Sequence, residues 1–302
     1  MGRFARSWQL FKQSWAVLRS DKALIVFPIV SSIATLIVMA SFFIPLALSG
    51  AFAQIAAARA ASVSGTAGVA TSAAVWAPYI VIAFLFYLVQ YFVIFFANSA
   101  LVGAALLRLQ GGHPTVGDGF RIAARHTWTI LGYAAIAATV GMVLRAIAER
   151  SGWIGRIVVG ILGIGWTLAT ALVVPVLVTE NIGPVASIKR STSLLKRTWG
   201  EQIIGNLGMG AVFGLVSFGV VIVGVVLGVL AVMSGAIALL VAVIVVGVLA
   251  LMALGIVSSA LSGIYRAAVY RFAATGEVGG GFDADLVRGA FRPRKSRVPF
   301  LS

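Results

Sequence analysis

Apolar residues in this chain come in runs longer than a soluble core helix needs, and the polar positions sit almost wholly between those runs. Six runs stand out, over residues 23–48, 76–107, 129–144, 157–179, 203–232 and 236–269. At about 1.5 Å of helical rise per residue they suit a hydrocarbon core about 30 Å thick. The third run is the shortest, but dropping it leaves an odd number of spans and puts basic loops on both sides. The pattern therefore predicts an all-α, polytopic membrane protein with six transmembrane helices.

The polar stretches between the runs have a period of their own. Phe4, Trp8, Phe11, Trp15 and Leu18 recur at helical spacing, with Arg6, Lys12 and Arg19 off the stripe. The spacing returns in Val185, Ile188, Thr192, Leu195 and Trp199, with Lys189, Arg190, Lys196 and Arg197 opposite and Gly183-Pro184 as a helix start. A weaker copy runs through Val116, Phe120, Ala123, Thr127 and Ile130, beside Arg121 and Arg125. Such amphipathic helices lie in a membrane interface. The chain then reads as a single membrane domain over 1–302. It has an interfacial helix over 1–22, a six-span bundle over 23–274 with further interfacial helices near 116–128 and 184–199, and a basic tail over 275–302. Interfacial helix, span out and span back occur three times, which suggests a threefold internal repeat. SALVGAALLR from Ser99 matches SGIYRAAVYR from Ser262 in this sense.

Composition agrees with a lipid solvent. The chain is 61% hydrophobic and only 10% charged, with a mean hydropathy of +1.06, more apolar surface than one soluble core can bury. Charge adds orientation: 19 of the 23 Lys and Arg residues fall at the same ends of the runs, against Arg59, Arg145, Arg150 and Arg156 at the other. That bias predicts both termini in the cytoplasm, in the inner (plasma) membrane of a bacterium or archaeon. The net charge of +15 points to anionic phospholipid headgroups as partner rather than nucleic acid, because the basic residues flank spans. The predicted headgroup contacts are Arg6, Lys12, Arg19, Arg121, Arg125, Lys189, Arg190, Lys196 and Arg197. Ala51-Phe52-Ala53 resembles a signal cleavage site, but the apolar run before it is far longer than a cleaved signal needs, so a retained signal anchor is expected. Residues 54–74, rich in Ala, Ser, Gly and Thr, read as an outer linker.

Enzymatic chemistry finds little support. There is no H-E-x-x-H, His113 and His126 are the only histidines, and Asp118 stands near neither in a metal-ligand register. The run from Asp118 to Arg125 departs from the D-G-x-x-A-R of phospholipid-headgroup transferases by placing its Arg two positions late. Eight acidic residues and no cysteine leave few acid–base groups and no thiol nucleophile, so no enzyme, cofactor or metal is expected. Polar residues within or beside the spans are the remaining candidates, since burying them costs free energy unless something compensates. Gln90, Asn98 and Ser99 lie in the second run, with Asn206, Ser258, Ser259 and Ser262 as prospective partners. Glu180 and Asn181 end the fourth run before Gly183-Pro184. Two readings stay open: a structural network, with Glu180 paired to a base such as Lys189 or Arg190, or a solute path. Arg145 and Glu149 read as a helix-surface pair. The steps Gly210 to Gly214 and Gly224 to Gly228 permit close helix packing or self-association into a homo-oligomer.

The opening RSWQLFKQSWAVLRSDKALIVFPI and the segment PVLVTENIGPVASIKRSTSLLKRTWGE resemble a family of prokaryotic integral membrane proteins known only as a domain of unknown function. Glu180, Gly183, Pro184, Arg190 and Ser191 are more distantly similar to the membrane domain fused to some glycerophosphodiester phosphodiesterases. The resemblance implies a six-span fold and no particular activity. The function expected is that of a non-enzymatic scaffold or accessory protein engaging anionic lipid through a basic cytoplasmic collar. The alternative is a small-solute or lipid transporter with a path near Gln90, Asn98 and Glu180.

Overall fold

The computed structural model describes residues 3–64, 69–197 and 202–277, and all regular structure among them is helical. In chain order the helices are α1 (Arg3–Ser20), α2 (Ala23–Leu48), α3 (Ala51–Val63), α4 (Val69–Leu109), α5 (Val116–Arg125) and α6 (Thr127–Arg150). They continue with α7 (Trp153–Ala169), α8 (Val173–Thr179), α9 (Pro184–Arg197), α10 (Gln202–Met233) and α11 (Ile237–Thr275). Six segments are long and apolar enough to cross a membrane: α2, α4, α6, α7 with α8, α10 and α11. The chain is a six-span helical membrane protein. The tail beyond Glu277, with its Arg288 to Arg297 cluster, and Trp199 lie outside the described residues.

Three boundaries depart from the hydropathy pattern, each for a local reason. The third span runs to Arg150 instead of ending near Leu144, because Arg145 bonds Glu149 one turn on and the helix carries its polar last turns past the apolar window. The linker expected over 54–74 is helical on both sides of residues 65–68, as its alanines favour. The fourth span is broken between Ala169 and Val173. Pro175 has no N–H to give to the carbonyl of Ala171, so the helix stops and restarts with the proline in its first turn, where that N–H is not needed.

The packed core lies at one end. α4 and α11, with 41 and 39 residues, are each about 60 Å long, roughly twice the hydrocarbon thickness. Their excess gathers at the end where α1 packs on α11, α5 on α4 and α9 on α11, hereafter the basic end. There Ala100, Leu101 and Ala105 of α4 and Leu261, Ile264 and Ala267 of α11 are buried together with Phe27 and Leu194. The two segments matched in sequence lie side by side, Gly263 so close to Leu101 that a Cβ would overlap its side chain. Gly119 of α5 is held as closely by the Phe27 ring and stands where a Cβ would come within 2.8 Å of the Ala100 carbonyl oxygen. Toward the opposite end the picture reverses. No residue of α11 before Ala260 is buried, and Ala231 alone is buried among the described side chains of α10. The glycine steps of α10 do not pack inside the chain: a Cβ at Gly210, Gly214 or Gly224 would meet nothing within 4 Å, and one at Gly228 only Leu240.

Candidate functional site

Three helices carry the basic end, and the α8–α9 turn shows how one is fixed. After α8, Asn181 takes a left-handed conformation at φ 46°, which asparagine tolerates better than most residues, and the chain reverses into α9 at Pro184. Every residue from Val173 to Val178 is buried. α9 then runs back along α8, so that Ser191 Oγ accepts the backbone N–H of Leu172 at 3.1 Å, a donor freed by the break in the span. Ser187 and Ser191 are fully buried with Leu194 and Leu195, whereas Val185 is 56% exposed. On α9 the small serines face the protein and Val185, one member of the apolar stripe, faces outward, while Leu195 of the same stripe is buried. α1 behaves alike, with Ser14, Val17 and Leu18 buried and Trp15 exposed. In a membrane the outward side of an interfacial helix also meets an apolar medium, so its largest apolar residues need not point into the protein.

Glu180 is the centre of the turn. Arg190 Nε donates to both carboxylate oxygens, at 3.0 and 2.9 Å, and the Tyr270 hydroxyl of α11 donates to Oε1 at 3.0 Å. Thr179 Oγ1 lies 2.7 Å from the same phenolic oxygen. One carboxylate thus joins α8, α9 and α11, with Arg190 as its paired base. Asn181, its neighbour, is exposed. Pro184 meanwhile comes so near Gly132 of α6 that a Cβ there would sit 3.0 Å from its ring.

α5 is held by a capping box. Thr115 Oγ1 accepts the Asp118 N–H, and the Asp118 carboxylate takes the Thr115 N–H at 3.0 Å and pairs with Arg121 at 3.0 Å. The Thr115 hydroxyl, its N–H and then Arg121 hold the Asp118 carboxyl below the usual carboxylate range. The chain bends at His126 between α5 and α6, so the expected stripe to Ile130 crosses two helices. Burial and then Arg125 lower the His126 imidazole below its usual range. Phe120 stays on the inside, 5.2 Å from the Phe27 ring.

Of the predicted headgroup contacts, Lys12, Arg19, Arg121, Arg125, Lys189 and Lys196 are exposed around this end. Arg190 is directed at Glu180, with 37% of its side chain exposed. Lys189 and Lys196 flank an open recess of about 500 Å³ with Ile188, Thr192 and Ser193. The side chains of Arg6, Arg197 and Asn206 lie outside the described residues.

The other predicted polar residues do not converge. Gln90 Nε2 donates to Thr35 of α2 at 3.0 Å, not to the serines of α11, and its Oε1 is buried without a partner among the described residues. Ser99 Oγ is likewise buried and unpartnered, next to the half-buried Asn98. Sequence reasoning missed Tyr270 and Thr179, which no local pattern marks, and Arg266, whose Nε is buried without a partner among the described residues. The break before Pro175 was the available signal, since it frees backbone groups that something must satisfy.

Residues 77–281 match the model of a family described as a family of unknown function (DUF6159), and the chain belongs to that family. No curated protein and no solved structure matches the chain.

Proposed function

We propose that this member of the DUF6159 family is a non-enzymatic membrane protein that gathers anionic phospholipid at its basic, cytoplasmic end and serves there as a scaffold or accessory. The observation that carries the reading is the arrangement of six exposed cations, Lys12, Arg19, Arg121, Arg125, Lys189 and Lys196, around the one end that has a packed core. Long basic side chains on helices anchored by such a core sit where anionic headgroups would lie, and each cation near such a surface contributes about 1 kcal/mol. Arg190, held by Glu180, positions α9 instead of binding lipid. The distant similarity to phosphodiesterase-linked membrane domains rests on the residues that make this turn, Glu180, Pro184, Arg190 and Ser191, and so supports a shared architecture more than a shared reaction.

The test is lipid retention in nanodiscs of mixed anionic and zwitterionic phospholipid. Replacing Arg121, Arg125, Lys189 and Lys196 by Gln is expected to abolish enrichment of the anionic lipid around the protein. Unchanged enrichment rejects the reading. A second reading, a solute or lipid path, draws support from Gln90 Oε1 and Ser99 Oγ, buried oxygens without partners among the described residues. Solute flux in proteoliposomes that falls on Gln90→Leu would favour it.

A further inference from the structure

At the end opposite the collar, α2, α3, α4 and α6 line an open pocket of about 500 Å³, within the size range of small-ligand sites. Its wall is apolar and aromatic: Phe42, Phe43 and Leu46 of α2, Ile82 and Phe86 of α4, and Met142 of α6. Phe86 meets Phe42 and Phe43 edge-on, with centroids 5.5 Å away in each case, which fixes the rings and keeps the space from collapsing. The polar groups lie on one side. Arg145 Nη1 donates to the Tyr87 hydroxyl at 2.9 Å and Nε donates to Glu149 at 2.9 Å, while both charged side chains remain about two-thirds exposed. Tyr87 is 58 residues away in the chain, so this cross-helix bond ties the arginine to the pocket, as an ordinary helix-surface pair would not be tied.

Two properties of the site define its ligand. The apolar wall lies in the outer half of the bundle, where the surrounding medium is phospholipid, so an acyl chain is the occupant at hand. The residues lining the pocket include one cation, Arg145, and one carboxylate, Glu149, so its polar side presents both signs to a headgroup. A headgroup carrying both signs satisfies both residues. We infer that this pocket binds one phospholipid with a phosphoethanolamine headgroup, its phosphate on Arg145, its ammonium on Glu149 and an acyl chain between Phe42, Phe86 and Met142. A primary ammonium brings three N–H donors to Glu149, whereas a trimethylated one brings none, so the site distinguishes ethanolamine from choline. A glycerol headgroup offers Glu149 only neutral hydroxyl donors and no positive charge. The inference is independent of the basic collar and concerns the other leaflet.

The experiment is native mass spectrometry of the full chain, released from nanodiscs holding equal parts of phosphatidylethanolamine, phosphatidylcholine and phosphatidylglycerol. One retained phosphatidylethanolamine is expected. Ala146→Phe, which fills the pocket from α6, is expected to remove it while the protein still melts cooperatively; Ala83→Leu does the same from α4 should the first variant fail to fold. Arg145→Gln is expected to weaken retention about two- to fivefold, the effect of one partly exposed charged contact. Glu149→Gln is expected to make the ethanolamine and choline lipids equivalent. Equal retention of all three lipids by the unaltered protein, or undiminished retention by folded Ala146→Phe or Ala83→Leu protein, overturns the proposal.

Discussion

The two ends of this molecule use the same residue types for opposite purposes. At the basic end glycines are contact points: Gly263 lies against Leu101, Gly119 against Phe27, and Gly103 where a Cβ would stand 2.8 Å from Ile122. Along α10, a Cβ at Gly214 or Gly224 would meet nothing within 4 Å among the described residues. Leucine and valine divide likewise, buried around Leu101 and Leu261 at one end and more than 45% exposed at Val225, Leu230 and Val246 at the other. Burial inside protein is what fixes a unique packing. Exposure to lipid requires only that a residue be apolar, and it leaves the helices free to be spaced by their neighbours. The fold is therefore specified mainly at the end that also carries the charge.

That contrast breaks first at Gly263. Gly263→Ala and Gly119→Ala insert a Cβ into occupied space and are expected to destabilise the protein by about 1–3 kcal/mol, seen as a lower midpoint in denaturant or heat. Gly214→Ala and Gly224→Ala serve as the control. They are expected to be neutral or to stabilise by up to about 1 kcal/mol, from helix propensity alone. Equal losses at both ends would erase the distinction.

The next effect belongs to the Glu180 junction. Glu180→Gln or Arg190→Met is expected to cost about 1 kcal/mol, well under the value for a fully buried pair because water reaches both side chains. Tyr270→Phe should be non-additive with Glu180→Gln in a double-mutant cycle, since they share one hydrogen bond. Additive losses would mean that the Tyr270 hydroxyl contributes nothing through Glu180.

How legible this was from sequence depends on which solvent a residue meets. The six spans, the helix start at Pro184 and the basic helices followed from hydropathy and spacing, because lipid requires long apolar helices with their backbones satisfied. Which face of α1 or α9 turns inward did not. Spacing puts Trp15 and Val185 on the apolar stripe but does not mark serines 14, 187 and 191, which are the residues buried against the protein. Glu180 was legible as a pairing residue because Arg190 lies ten positions on, within reach of a reversed helix. Tyr270 was not, being ninety residues away on another span. Gln90 and Asn98 share a helical face, but Gln90 bonds Thr35, since α2, not α11, lies beside it there.

The smallest predicted effect is on α5. Asp118 has its carboxyl pKa lowered in the folded protein, so its contribution to stability is present above the unfolded value and is lost as the pH falls through the lower, folded one. Amide exchange in the first turn of α5 is expected to quicken, beyond the intrinsic pH dependence, as the pH drops below about 4. The α10–α11 hairpin, with no such carboxylate among its described residues before Glu277, should show no matching change.

Exposed tryptophans allow the most direct measurement of the functional asymmetry. Trp128 and Trp153 begin α6 and α7 at opposite ends of the bundle and are 82% and 73% exposed. Variants keeping only one of the two, with the other six of the seven tryptophans replaced by Phe, placed in bilayers where anionic phospholipid alone carries bromine on its acyl chains, report the local anionic fraction by fluorescence quenching. A lipid-gathering basic end predicts quenching of Trp128 above that expected for random mixing, with Trp153 at the random value. Equal quenching at the two positions would contradict it.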